Sequence, residues 1–250
     1  VAGAALLGRL TWRTATARSF TAETASARTI VLEVPGWPGH LPGQHVDVRL
    51  TAPDGYTATR AYSIADATNG DLVSITVAEV PGGEVSGYLA GAMEAGDQVE
   101  VRGPLGGWFV WRPEDAAPVQ LVGGGTGLVP LVAMVRSRAR AGARTPMRLL
   151  CSVRDPGSAL YSAELALEST RAGGVAVTWQ HTRVAPPGRA PGRIDADVLR
   201  AATFAPSARP TCFVCGPTPF VEAITALLVD LGHDPARIRA ERFGPTGGQA

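Results

Sequence analysis

From Trp12 to about Trp111, apolar and polar positions alternate in short runs. Residues 29–34, 45–50, 72–77 and 98–101 each carry the two-residue period of a half-buried strand. Pro35-Gly36, Pro42-Gly43, Asp54-Gly55, Asn69-Gly70 and Pro81-Gly82 punctuate them as turns. With one short helical stretch, Ser86 to Met93, this half predicts a small antiparallel β-barrel. Past Arg112-Pro113-Glu114-Asp115 the rhythm changes. Strands are expected at 119–122, 147–153, 175–179 and 212–215, and helices at 129–141, 162–171, 196–202 and 219–231. Strands alternating with helices predict a parallel sheet with crossover helices, and such sheets bind ligands at the carboxyl ends of their strands. The pattern therefore predicts a two-domain β + α/β chain: an N-terminal antiparallel β-barrel, residues 1–113, followed by a parallel-sheet α/β domain, residues 114–250. Arg183–Arg193, rich in Pro, Gly and Arg, reads as a mobile loop.

Composition narrows the chemistry. A chain of 250 residues, 45% hydrophobic and 18% charged, has ordinary globular composition. A net charge of +1 with no basic stripe argues against nucleic acid and anionic membranes as partners. All 23 basic residues are Arg. Without Lys there is no Schiff-base chemistry, no pyridoxal-phosphate anchor and no phosphate-loop Lys. Cys151, Cys212 and Cys215 are odd in number and too few for a disulfide framework. The opening VAGAALLGRL lacks a basic leader and is interrupted by Arg9. No run approaches the roughly 18 apolar residues of a membrane span, so a cytoplasmic setting is expected.

Several short motifs carry candidate chemistry. Gly123-Gly124-Gly125-Thr126-Gly127 follows a strand and opens a helix, where backbone N–H groups can approach a pyrophosphate. Its spacing is not G-x-G-x-x-G, and a ligand-free tight turn has the same composition. In Arg60-Ala61-Tyr62-Ser63, alternation puts Arg60 and Tyr62 on one strand face and Ala61 and Ser63 on the other. Arg60 can pair with phosphate, Tyr62 can face an aromatic ligand, and Ser63 can donate or accept a hydrogen bond. Gly82-Gly83-Glu84-Val85-Ser86 is a turn running into a helix, with Ser86 either an N-cap or a phosphate ligand. Cys212 and Cys215 have C-x-x-C spacing without the second pair that a zinc or iron–sulfur site needs. His40, His45, His181 and His233 have no metal spacing, so no metal is expected and each reads as a surface or core histidine. The absence of G-x-S-x-G removes the sequence case for a hydrolase triad.

In this order and at these separations, Arg60-Ala61-Tyr62-Ser63, Gly82-Gly83-Glu84-Val85-Ser86, Gly123-Gly124-Gly125-Thr126-Gly127 and Cys215-Gly216-Pro217 resemble the ferredoxin–NADP reductase family of flavoenzymes. Glu241-Arg242-Phe243-Gly244 adds a weaker fifth mark, and the likeness runs from about Leu10 to Gly244. The resemblance implies a flavin-binding barrel followed by a nucleotide-binding α/β domain. In it Arg60 pairs with the FAD pyrophosphate, Tyr62 packs on the isoalloxazine and Ser63 hydrogen-bonds near flavin N5. Gly83, Val85 and Ser86 complete the phosphate cradle, with Ala61 in the same strand. Gly124, Thr126 and Gly127 meet the pyrophosphate of NADPH or NADH, and Cys215, with Gly216 and Pro217, lies beside the nicotinamide. Glu241 and Phe243 match a carboxylate–x–aromatic ending, the aromatic covering the flavin until nicotinamide displaces it. Here that aromatic is Phe and seven residues follow it.

Hydride transfer needs nicotinamide and flavin stacked at roughly 3–3.5 Å, which a two-domain cleft can provide. Ser63, Cys215 and Glu241 are the candidate catalytic residues, as polar tuning groups rather than nucleophiles. Ser152, Arg154 and, further on, Tyr161 follow one strand, and Arg183 follows the next. Two Arg near an adenosine ribose suit a 2′-phosphate, although Asp155 adjoins, so the balance tips slightly to NADPH over NADH. The function implied is an FAD-dependent NAD(P)H oxidoreductase passing electrons to a separate acceptor protein: ferredoxin, flavodoxin or an oxygenase component. Two rivals are a reductase that releases free reduced flavin and an electron-relay flavoprotein subunit that does not use NAD(P)H.

Overall fold

The computed structural model describes residues 11–67 and 69–244. The apolar opening segment 1–10, read above as a poor leader, lies outside them.

In the first half, strands β1 (Arg13–Thr24), β2 (Ala27–Glu33), β3 (His45–Thr51), β4 (Thr57–Ser63), β5 (Leu72–Ala78) and β6 (Gln98–Leu105) form an antiparallel sheet in the order β4-β3-β6-β1-β2-β5. An antiparallel bridge between Ile64 and Ile75 joins the outer strands, closing the sheet into the expected barrel. Alternation fills it: Ile30, Leu32, Val46, Val48, Val73, Ile75, Val77, Val99 and Val101 share one core. Helix α1 (Glu84–Gly87) runs directly into a π-helical turn, Tyr88–Ala92, where a plain helix was expected. Arg28 ends that turn, its guanidinium donating to the carbonyls of Leu89 and Met93 at 2.8 Å each and lying over Phe20. The orphan carbonyls of a helix end thereby gain charged donors.

The second half carries β7 (Val119–Gly124), α2 (Leu128–Arg140), β8 (Met147–Val153), α3 (Ser162–Thr170), β9 (Ala176–His181), α4 (Ala196–Ala202), β10 (Thr211–Pro217), α5 (Thr218–Asp230) and β11 (Ile238–Phe243). All five strands are parallel, ordered β11-β10-β7-β8-β9. The chain starts in the middle at β7, builds outward through β8 and β9, then crosses back to β10. That reversal opens a crevice at the carboxyl ends of β7 and β10.

Two elements went unread in the sequence. Strand β1 faces the core with Ala15 and Ala17, residues too small to register as an apolar period. Strand β11 mixes Arg239, Glu241 and Arg242 with Ile238, Ala240 and an out-of-phase Phe243, and needs β10 to define it. The loop after β9 folds back on its strand: Gly192 donates to the His181 carbonyl and Gln180 donates to that of Gly192, both at 2.8 Å. Among the described residues, no helix is long and apolar enough to cross a membrane.

Candidate functional site

Strand β4 presents the first group of residues. In the ladder with β3, Ala58, Arg60 and Tyr62 stand opposite Leu50, Val48 and Val46. Arg60 and Tyr62 thus share a face, as alternation requires. Arg60 is exposed, and its guanidinium donates to its neighbour's carbonyl, Thr59, at 2.7 Å. No carboxylate pairs with it among the described residues. Tyr62 packs into the barrel, and burial pushes its phenol up to about 12. Ala61 is exposed and Ser63 half-buried.

The turn before α1 lies beside this strand. Tyr56, just ahead of β4, donates its hydroxyl to Glu84 at 3.1 Å. Gly83, not Ser86, is the N-cap. Ser86 is buried one turn in, and its hydroxyl accepts from the Val80 N–H at 3.2 Å. A side chain at Gly83 would collide with Ser86, so the turn is held close by glycine and serine together. Val85 is buried beneath it.

At the carboxyl ends of the parallel strands, contact is through backbone. Gly125–Gly127 form one 3-10 turn leading straight into α2. A Cβ at Gly127 would fall on the Cys215 carbonyl, so glycine is what lets this turn rest on β10. Gly124 and Gly216 both face the ring of Phe220, a residue the sequence reading passed over. Thr126 is half-buried and Gly125 exposed at the lip. Ser152 stands beside Gly124 in the β7–β8 register. Arg154 and Arg183, at the ends of β8 and β9, are exposed and joined by the Arg183 N–H donating to the Arg154 carbonyl at 2.9 Å. Asp155 is occupied locally, accepting from the Ser158 N–H at 2.9 Å and from its hydroxyl at 3.0 Å. Tyr161, placed near this group by sequence, is instead buried against the barrel.

The two halves meet in a row of polar residues. Cys215 pairs with Glu241 across β10 and β11, and His45 pairs with Ser63 across β3 and β4. His45 Nδ1 lies 3.8 Å from Glu241 Oε1 and links the rows. The separation allows an ion pair, but burial depresses His45 and raises Glu241 to about 7, so both directions oppose full charge separation. Glu241 Oε2 is buried with no hydrogen-bond partner among the described residues. Burial, with the Glu241 charge adding, keeps Cys215 a neutral thiol. Pro217 and Phe243 are paired two positions further along the same ladder, beyond Gly216 and Arg242. The sequence missed His45 because only the tertiary fold brings it to Glu241. Gly106, whose Cβ position lies 3.3 Å from the His45 ring, backs it from the segment after β6.

Comparison with known proteins gives one consistent result. The family described as Oxidoreductase FAD-binding domain matches residues 18–110, and the Oxidoreductase NAD-binding domain matches residues 121–226. A flavohemoprotein of Bordetella pertussis is 34% identical over 224 residues, covering 85% of this chain and 55% of its own length. The ferredoxin–NAD(P)+ reductase component of the naphthalene 1,2-dioxygenase/salicylate 5-hydroxylase systems of a Ralstonia species is 31% identical, covering 82% and 61%. The chain thus spans a little over half the length of these curated relatives. Among solved structures, the FAD/NAD-binding domain of a nitric oxide dioxygenase from Vibrio cholerae superposes with a TM-score of 0.82 at 26% identity, covering 93% of this chain and 99% of that one. An Amycolatopsis cytochrome P450 reductase gives 0.82 at 26% identity, over 95% and 71%.

Proposed function

Because the chain belongs to the ferredoxin–NADP reductase family of FAD- and NAD(P)H-dependent oxidoreductases, we propose that it passes electrons from NADPH through FAD to a separate acceptor protein: ferredoxin, flavodoxin or an oxygenase component. The observation that carries this reading is the row Ser63, His45, Glu241 and Cys215, which gathers polar groups of both halves where the two cofactors would meet. The residues present fit both cofactors. Among the described residues, a buried carboxylate oxygen lacks a partner and an exposed Arg lacks a carboxylate, and a glycine turn rests where a Cβ would collide. We divide the chain at 113/114, between the two sheets, and place it in the cytoplasm on the strength of three free, buried thiols.

When bound, FAD would supply hydride acceptance from the nicotinamide and single-electron release, chemistry that no side chain here can supply. The chain's own residues hold and shape. Arg60 takes the FAD pyrophosphate through charge-assisted hydrogen bonds, and Gly83, Val85 and Ser86 close the cradle, with Ala61 leaving room along β4. Tyr62 would pack on the isoalloxazine, and Ser63 would hydrogen-bond near its N5. Gly124, Thr126 and Gly127 offer backbone to the nucleotide pyrophosphate, and Ser152 joins them. Cys215, with Gly216 and Pro217, walls the nicotinamide with a neutral, polarizable thiol. Glu241, titrating near neutrality beside His45, holds or yields a proton at Oε2. Phe243 shields the flavin face. Arg154 and Arg183 receive the 2′-phosphate; the engagement of Asp155 by Ser158 supports NADPH over NADH, since that carboxylate is turned to its own loop. The likeness to reductase components of oxygenase systems supports the separate acceptor.

An anaerobic visible-absorbance titration of the purified holoprotein, NADPH against NADH, tests the proposal. Rapid bleaching, faster with NADPH, is expected. A flavin that neither nucleotide bleaches would overturn it in favour of an electron relay. Equal rates would overturn the nucleotide assignment alone.

A further inference from the structure

On the outer wall of the barrel, where alternation turns side chains away from its core, Ala27, Thr29, Ser74 and Thr76 are nonetheless buried. The second half covers them: Ala27 and Ala65 share a core with Leu128, Leu131, Val135 and Tyr161. On this patch lies a line of hydroxyls. Thr29 stands opposite Thr76 in the β2–β5 ladder, and their Oγ1 atoms are 2.7 Å apart. Thr29 donates to Glu23 Oε1 at 2.6 Å. Thr76 is also in hydrogen-bond contact with the Tyr161 hydroxyl. Because each hydroxyl donates once and Thr29 gives its proton to Glu23, the line has one direction: Tyr161 to Thr76 to Thr29 to Glu23.

Tyr161 is held for this contact. It is one of two non-glycine described residues at positive φ, 57°, a conformation that costs energy and persists where the surroundings enforce it. Arg136 lies over its ring at 4.9 Å, donates to the barrel carbonyl of Ala65 at 2.6 Å and grips Glu164 through two bonds of 2.8 and 2.6 Å. Tyr161 is also the N-cap of α3, a short way past Ser152 and Arg154. Strand β5, which carries Thr76, lies against the Gly125–Gly127 turn.

We propose that Tyr161 and Thr76 form a positioning pin for the reaction: their hydrogen bond fixes the register of the nucleotide domain on the barrel and so sets the approach of nicotinamide to flavin. The inference rests on the oxidoreductase reading above. It assigns the pair no contact with either cofactor; they act through the turn and the strand that they join.

The test compares holoproteins carrying Tyr161→Phe, Thr76→Val and Thr76→Ser. Phe keeps the ring and its packing, Val keeps Thr's shape without the hydroxyl, and Ser restores the hydroxyl. In stopped-flow reduction at saturating NADPH, Tyr161→Phe and Thr76→Val should each slow flavin bleaching roughly tenfold or more, with nucleotide Kd and FAD retention unchanged. Their long-wavelength nicotinamide–flavin charge-transfer absorbance should weaken, and the double variant should be no slower than either single one. Thr76→Ser should react at the wild-type rate. Hydrogen exchange on nucleotide-free holoprotein should rise in both β5 and the Gly125–Gly127 turn for the first two variants. Wild-type rates and absorbance in Tyr161→Phe and Thr76→Val overturn the pin, as does Thr76→Ser behaving like Thr76→Val. If wild-type flavin is not reduced at all, the oxidoreductase reading fails instead, and the exchange comparison decides the pin unaided.

Discussion

Strand β4 and the crevice between β7 and β10 would present the proposed ligand-binding groups in opposite ways. On β4, Arg60 and Ala61 are exposed, and the guanidinium reaches no carboxylate among the described residues. In the crevice, Gly123, Gly124, Gly127, Cys215 and Gly216 are buried, and the groups offered are main-chain ones packed against each other. On the proposed reading, one region would recognise its ligand with side chains mounted on a finished strand, the other with the closeness of the backbone itself. A change in the first should cost binding alone. A change in the second should cost binding and fold together.

The largest test of that contrast is Gly127→Ala. Its methyl would meet the Cys215 carbonyl and the Gly216 N–H, both backbone and unable to swing aside. We expect a loss of roughly 1–3 kcal/mol in unfolding free energy together with loss of NADPH-driven bleaching. Denaturant unfolding and the absorbance titration check the two effects; a variant that unfolds normally yet fails to use NADPH would break the contrast. Arg60→Ala comes next. Losing a charge-assisted phosphate contact should weaken FAD retention about tenfold to a hundredfold, leaving apoprotein unfolding unchanged. Equal retention in wild type and variant, measured by ultrafiltration, would mean that the pyrophosphate is held elsewhere.

Cys215→Ala sharpens the comparison, because this side chain lines a region built from backbone. Flavin reduction should slow severalfold while FAD stays bound; expulsion of FAD would place Cys215 in the wrong domain's service. The smallest effect concerns pH. Burial raises Glu241 to about 7, so its carboxyl favours the folded apoprotein most while protonated. That contribution is whole below the ordinary carboxylate range and is lost as pH rises through about 7. Glu241→Gln should therefore flatten the fall in apoprotein unfolding free energy between pH 5 and pH 8, by about 2 kcal/mol at the alkaline end, as read by denaturant unfolding. An unchanged slope would assign the pH dependence to other groups.

The same contrast explains what the sequence made legible. Strands such as Leu72–Ala78, with large β-branched residues facing inward, announce themselves by period. So does the order of Arg60-Ala61-Tyr62-Ser63 before the glycine turns. By contrast, β1 hides because its inward residues are alanines, and β11 because its partner defines it. His45 becomes notable only when the fold sets Glu241 against it, and Phe220 only when two glycines turn toward its ring. Tyr161 looked like a nucleotide contact from its distance past Arg154. The left-handed backbone there turns its ring to the barrel instead, and no spacing rule encodes that. The Thr and Ser facing outward on β5 read as solvent-exposed until the second half is packed over them.

All three cysteines are buried, Cys151 on β8 and Cys215 on β10 in one core cluster and Cys212 against His233. Raised thiol pKa values, from burial, make them slow nucleophiles. With no lysine in the chain, the folded surface is nearly silent to both maleimides and amine-reactive dyes. A single cysteine introduced on the outer face of α5 would take a fluorophore or an electrode tether with little background, giving a protein that can be wired at one chosen point.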